Sequence, residues 1–145
     1  MKKAFFILII VLFVGTAGVF AQTDTGGDQP ANPKLARRGS FEILKTENGR
    51  FYMVLKASNG QRILTGFFYS TEEKAKDAVG KVKERAGHDA NFDIRSDKQW
   101  YFFVKGEDGK AIAHSERYTT EAAMKKGIES VKKNAPDAAL KTDPK

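Results

Sequence analysis

His114-Ser115 is the pair of neighbours in this sequence that comes nearest to a nucleophile beside its base. Such a dyad needs hydroxyl and imidazole within hydrogen-bond reach of each other. His114 reads as mid-strand, where adjacent side chains point to opposite faces, so the pair is excluded. His88 follows Gly87 in a loop, and neither histidine has a second ligand at H-x-H or H-E-x-x-H spacing. Both read as solvated or locally bonded side chains. Glu72-Glu73 and Glu107-Asp108 pair carboxylates, but one pair opens a helix and the other lies in a turn, where acids serve capping and turn geometry. Within residues 40–145 each glycine stands alone, so there is no loop to cradle phosphate. The residues therefore predict a non-enzymatic protein with no catalytic residue, metal site or cofactor.

A second combination is more promising. Tyr52, Lys56, Arg62, Phe68, Tyr101, Phe103, Lys105 and Arg117 mix rings with cations. Aromatic faces stack on sugars or bases, and cations hold phosphate or carboxylate groups. Whether these eight side chains share a surface depends on the elements that carry them.

The chain opens with Lys2 and Lys3, the apolar run "AFFILIIVLFV" (4–14) and Val19-Phe20-Ala21. This order predicts a signal peptide, residues 1–21, cleaved after Ala21 and sending the protein to the periplasm or outside the cell. The rival is an uncleaved anchor, since residues 4–21 carry no charge and are just long enough to span a bilayer. Membrane contact is then confined to this segment. No cysteine is present, which rules out a lipoprotein, disulfides and thiolate metal sites. Export also argues against a nucleotide cofactor. Without Lys2 and Lys3, 23 basic side chains face 18 acidic ones, a net charge of +5 spread evenly along the chain. That balance suits anionic partners no better than it suits a solvated surface.

Residues 22–39, rich in Gly, Pro and polar types, read as a flexible linker. Residues 40–145 suffice for one domain. They contain a repeat: residues 51–86 align without a gap on residues 100–135, and "FEI" (41–43) matches "FDI" (92–94). The repeats are 40–91 and 92–145. Each reads as three short strands and a helix, with turns at Glu47-Asn48-Gly49, Asn59-Gly60 and Asp108-Gly109. Ser70 and Glu73 predict a capping box on the first helix, and Gly87 its stop. Ala75, Ala78, Val79, Val82 and Ala86 form an apolar stripe, repeated as Met124, Ile128, Val131 and Ala135 before Pro136. Gly80 and Gly127 lie inside the helices, and close approach to the sheet is the expected reason.

"KASNGQRI" (56–63) recurs as "KGEDGKAI" (105–112). A three-residue loop with Gly as a left-handed bulge pairs Leu55 with Ile63 and Val104 with Ile112, whereas a two-residue loop sets Lys56 against Ile63. The three-residue loop keeps apolar with apolar. One face then holds Phe41, Ile43, Met53, Leu55, Ile63, Phe92, Ile94, Phe102, Val104 and Ile112, covered by both helices. The opposite face holds Leu44, Val54, Leu64 and Arg95 with the eight aromatic and basic residues named above. Three readings are open: a ligand surface, an ordinary half-wet sheet whose rings pair because they fit the pleat, or a homodimer contact formed by this face or by a sheet edge.

"FYMVLKASNGQRIL" and "HSERYTTEAAMKKGIESVKKNAPDA", with their "SE-x-Y" and "GI-x-SV-x-x-N" patterns, resemble the YegP-like family of small bacterial domains of unknown function. The likeness covers residues 40–142. The second repeat fits at Ser115, Glu116, Tyr118, Gly127, Ile128, Ser130, Val131 and Asn134, whereas the first writes "TGFFY" and "AVGKV" at these places. The resemblance implies an α+β fold in which two tandem β3-α units form one antiparallel sheet with two helices on one face. It also implies a short exchanged strand at "AALK" (138–141), and no established activity. A tandem chain supplies both halves of such an assembly, so a monomer with an internal pseudo-dimer is expected. The sequence thus points to an exported binding or interaction module for an envelope glycan, an anionic polymer or a protein. The alternative is a structural or stress-related envelope protein without a specific ligand.

Overall fold

The computed structural model describes residues 38–141. The expected signal segment, and the linker up to residue 37, lie outside the described residues. Hairpins come first. β1 (Ser40–Lys45) and β2 (Phe51–Lys56) pair Phe41 with Leu55 and Ile43 with Met53, as the alternation requires. Ala57 N donates to Gln61 O at 2.8 Å and Gly60 N to Ala57 O at 2.9 Å, closing the three-residue loop. Gly60 takes φ +81° and its counterpart Gly109 φ +74°, the left-handed region where a Cβ is costly.

Beyond each loop the pairing slips by one residue. In β3 (Arg62–Gly66), Arg62 faces Lys56 but Leu64 faces Leu55, so Ile63 is the extra residue of a β-bulge. In the second repeat, β4 (Phe92–Ser96), β5 (Trp100–Lys105) and β6 (Ala111–His114) repeat the plan. Lys105 faces Ala111 and Val104 faces Ala113, leaving Ile112 extra. Two expected pairings, Leu55 with Ile63 and Val104 with Ile112, are therefore corrected. So is the position of Leu64, which the bulge turns into the core, where it is fully buried.

The helices are α1 (Glu72–Arg85) and α2 (Glu121–Asn134). Their N-caps are Thr71 and Thr120, whose hydroxyls accept from Lys74 N and Ala123 N. Ser70 is thus one residue too early. At the other end α1 closes on Ala86 in right-handed geometry, without a left-handed glycine at Gly87. Both apolar stripes are buried on the same sheet face, against Phe41, Met53, Leu55, Phe102 and Val104. Ile94 belongs to that face but stays 46% exposed, because β4 is the last strand of the sheet. Gly127 is packed against the Tyr118 ring, whereas Gly80 is exposed with open space around it. Close approach therefore explains one helix glycine and not the other.

The sheet has seven strands in the order β4-β5-β6-β3-β2-β1-β7. All pairs are antiparallel except the last: β7 (Ala139–Lys141) follows α2 and lies parallel to β1, with Leu140 beside Phe41. The strand expected at 138–141 thus crosses from the second repeat to the edge of the first. At the centre β3 meets β6, Thr65 opposite His114. These two residues are equivalent in the repeats, so the pseudo-twofold axis passes through that pair.

Candidate functional site

Both helices and the core lie on one side of the sheet, and no described element covers the other. On that open face Lys56 and Arg62 stand opposite each other at the ends of β2 and β3, and Tyr52 lies two residues before Val54. Val54, on the same face, is 1% exposed. Tyr52 meets Phe68 edge to face at 5.5 Å, and the Arg50 guanidinium lies 5.2 Å from the Phe68 ring. In the second repeat Tyr101 meets Phe103 in the same way at 5.6 Å. Arg117 covers Tyr101 at 4.4 Å and Arg95 covers Phe103 at 5.4 Å. Five of the eight expected side chains, Tyr52, Phe68, Tyr101, Phe103 and Arg117, thus fall into two ring-and-cation clusters, joined by Arg50 and Arg95. Lys105, at the end of β5, lies away from the aromatic contacts and has no ion-pair partner among the described residues.

Sequence reasoning missed the centre. The bulges bring Thr65 and His114 onto the open face, and Phe67 lies 5.8 Å from the imidazole. Phe67 and Phe68 are 39% and 52% exposed, an adjacent aromatic pair left in solvent. The signal for them was present in "TGFFY", where the second repeat writes "SERY" at the same place.

That contrast also explains the "SE-x-Y" pattern, which is structural. The buried Ser115 hydroxyl accepts from Phe102 N at 2.9 Å and donates to Glu116 O at 2.7 Å, so it tends backbone rather than substrate. His114 Nδ1 lies 3.2 Å from the Ser115 carbonyl oxygen, not its hydroxyl. Tyr118 exchanges backbone hydrogen bonds with Trp100 at 2.8 Å each, and burial pushes its phenol above the ordinary range, with help from Glu116. In the first repeat Gly66 replaces Ser115, with Met53 filling the space a side chain would need.

The electrostatics differ from a simple basic surface. Lys56 Nζ is 2.6 Å from Glu42, Arg62 Nε 2.9 Å from Glu116, Arg95 Nη2 2.9 Å from Asp93, and Arg117 Nη1 2.8 Å from Asp97. The Arg117 guanidinium, with backbone amides, holds the Asp97 carboxyl below the usual carboxylate range. Each of these four cations therefore already has a carboxylate partner. Among the described residues no group of three His, Asp or Glu is placed to hold a metal ion.

The chain matches the family described as "Domain of unknown function (DUF1508)" twice, over residues 47–93 and 96–141. A UPF0339 protein of Photorhabdus laumondii is 38% identical over 98 residues, 66% of this chain and 86% of that protein. The UPF0339 protein YegP of Escherichia coli is 30% identical over 105 residues, 71% of this chain and 96% of its own. The solution structure of E. coli YegP, described as a protein of unknown function, superposes with a TM-score of 0.69 at 29% identity, covering 73% of this chain and 93% of that one. A UPF0339 protein of Shewanella oneidensis gives a TM-score of 0.68 at 31% identity, covering 72% and 90%. With two copies of the motif in one chain and the sheet of YegP around them, this protein belongs to the DUF1508, YegP-like family.

Proposed function

We propose that the protein is an exported, non-enzymatic binding module, and that the open sheet face takes the sugar rings of an envelope glycan. The observation that carries this is the exposed Phe67-Phe68 pair beside Tyr52 and His114, on a face that no described element covers. Large apolar rings left in solvent are unfavourable unless a partner covers them. Sugars fit better than a polyanion, because Lys56, Arg62, Arg95 and Arg117 each already have a carboxylate partner with which a phosphate would have to compete. Those same ion pairs favour a second reading, a structural envelope protein whose face is complete without a ligand.

Titrating ¹⁵N-labelled residues 22–145 with soluble cell-wall glycan fragments separates the two. Saturable shifts are expected around Tyr52, Phe67, Phe68, Tyr101 and Phe103, weakened at least about tenfold by Phe68→Ala with Tyr101→Ala, since stacking contributes about 1–3 kcal/mol per ring. Silence with every glycan favours the structural reading. Binding only to polyphosphate, lost in salt, moves the ligand class to polyanions. Export is supported by Lys2, Lys3 and the apolar run to Val14. The intact mass of protein recovered from the envelope is expected to start at Gln22; a mass that retains residues 1–21 identifies an anchor instead.

A further inference from the structure

The two edges of the sheet are finished differently. β7 closes the edge at β1, seating Leu140 beside Phe41. At the other edge, among the described residues, β4 pairs only with β5, in an unbroken register from Phe92–Val104 to Ser96–Trp100. The outer side of β4 therefore carries backbone N–H and C=O groups at alternate residues, Ile94 among them, that no described strand pairs. Soluble proteins guard such edges with proline, bulges or inward-pointing lysines. β4 has no proline and no bulge, and its core-side residue Ile94 is 46% exposed. Beside it runs a groove of about 490 Å³ between β4 and α2, with Phe92, Ile94 and Ile128 on its apolar floor.

We infer that this edge is a homodimer interface, in which β4 pairs antiparallel with β4 of a second copy about a twofold axis at Ile94. The charges on the strand select that occupant and that register. Asp93 and Arg95 flank Ile94 on the open face with opposite sign, bonded to each other at 2.9 Å. A twofold axis normal to the sheet must centre on a residue, since residues directly opposite in an antiparallel pair share a face. Centred on Ile94, Asp93 faces the second copy's Arg95, Arg95 faces its Asp93, and Ile94 meets its own copy over the groove. Centring on Asp93 sets aspartate against aspartate, and centring on Arg95 sets arginine against arginine. Only the middle residue gives attraction on both sides of the axis. The dimer would join two seven-stranded sheets into one, with all four helices on the same side.

A strand pair of five residues with a shallow flank is smaller than a standard permanent interface, so association follows concentration. Sedimentation velocity of residues 22–145 from about 5 to 500 µM is expected to show a monomer converting to dimer, with Kd in the micromolar range typical of small interfaces. Asp93→Arg alone, and Arg95→Asp alone, each set like charges across the axis and are expected to weaken the dimer at least about tenfold. The double exchange, Asp93→Arg with Arg95→Asp, restores opposite charges and is expected to recover it. Far-UV circular dichroism confirms that these exposed variants keep the fold. A protein that remains monomeric at the highest concentration overturns the inference. So does a dimer that either single exchange leaves untouched, or one that the double exchange fails to recover.

Discussion

Replacing Phe102 by alanine is expected to remove about 3–5 kcal/mol of stability, the range for truncating a buried phenylalanine. A domain of this size holds about 5–15 kcal/mol in all, so the variant stands near the limit of folding at ambient temperature. Phe102 is fully buried and joins three elements. Its ring meets Phe92 of β4 edge to face at 5.5 Å and stacks on Tyr118 at 6.4 Å, and its backbone faces Ile94. Truncation leaves Tyr118 and Phe92 on the rim of a cavity, and the sheet, tied on both sides of β5, cannot collapse into it. Urea unfolding followed by tryptophan fluorescence at Trp100 measures the effect. A midpoint displaced by less than the equivalent of about 1 kcal/mol, at unchanged slope, contradicts this account of the core.

The second large effect comes from a pair of glycines in sister helices whose substitutions have opposite signs. At Gly127 a Cβ would lie 2.3 Å from Tyr118 Oη and 2.6 Å from its Cζ. The ring cannot step aside cheaply: its backbone is hydrogen-bonded to Trp100 on both polar groups and its other face lies on Phe102. Gly127→Val is expected to cost about 1–3 kcal/mol by overpacking. A Cβ at Gly80 would meet nothing within 4 Å outside its own turn of helix. Gly80→Ala is expected to add about 0.5–1 kcal/mol, the difference between the two residues in a helix interior. Melting temperatures of the two variants should move in opposite directions; movement in the same direction would refute the packing assigned to one of them.

Much of this architecture was legible in the chain, for identifiable reasons. Asn59-Gly60 and Asp108-Gly109 specify a left-handed residue after a type I corner, and that local requirement survives in the folded protein. The first hairpin register follows from alternation over Phe41, Ile43, Met53 and Leu55, where one slip would turn every apolar side chain outward. The bulges were not anticipated, because strict alternation presumes an unbroken ladder. The hint lay in Ile63-Leu64, two adjacent apolar residues of which alternation can bury only one; the extra residue buries both. A similar ambiguity put the helix start at Ser70: each repeat writes two hydroxyl residues in a row, Ser70-Thr71 and Thr119-Thr120, and in both the second does the capping.

On the candidate face, alternation was enough to bring Tyr52, Val54 and Lys56 of β2, and Tyr101 and Phe103 of β5, to one side. Phe68 and Arg117 lie past the bulges and beyond β3 and β6, where alternation no longer applies. It said nothing about the charge state of the cations. Glu42 and Asp93 neutralise Lys56 and Arg95 from the same face, and Glu116 reaches Arg62 across the junction of the repeats. Such partners are set by strand order and by the bulge, neither of which a single strand's pattern contains.

The pair at the centre of the sheet, Thr65 opposite His114, has one more consequence. Two identical chains meeting at such an axis would place like beside like, and any molecule lying across them would find the same contacts whichever way round it lay. Fusing the halves into one chain lifts that restriction. Here Phe67 and Phe68 stand where the other half has Glu116 and Arg117, so one end of the face is greasy and the other charged. For the glycan proposed above, the two directions of a chain laid over the axis would meet different contacts, which a face built from two identical halves could not offer.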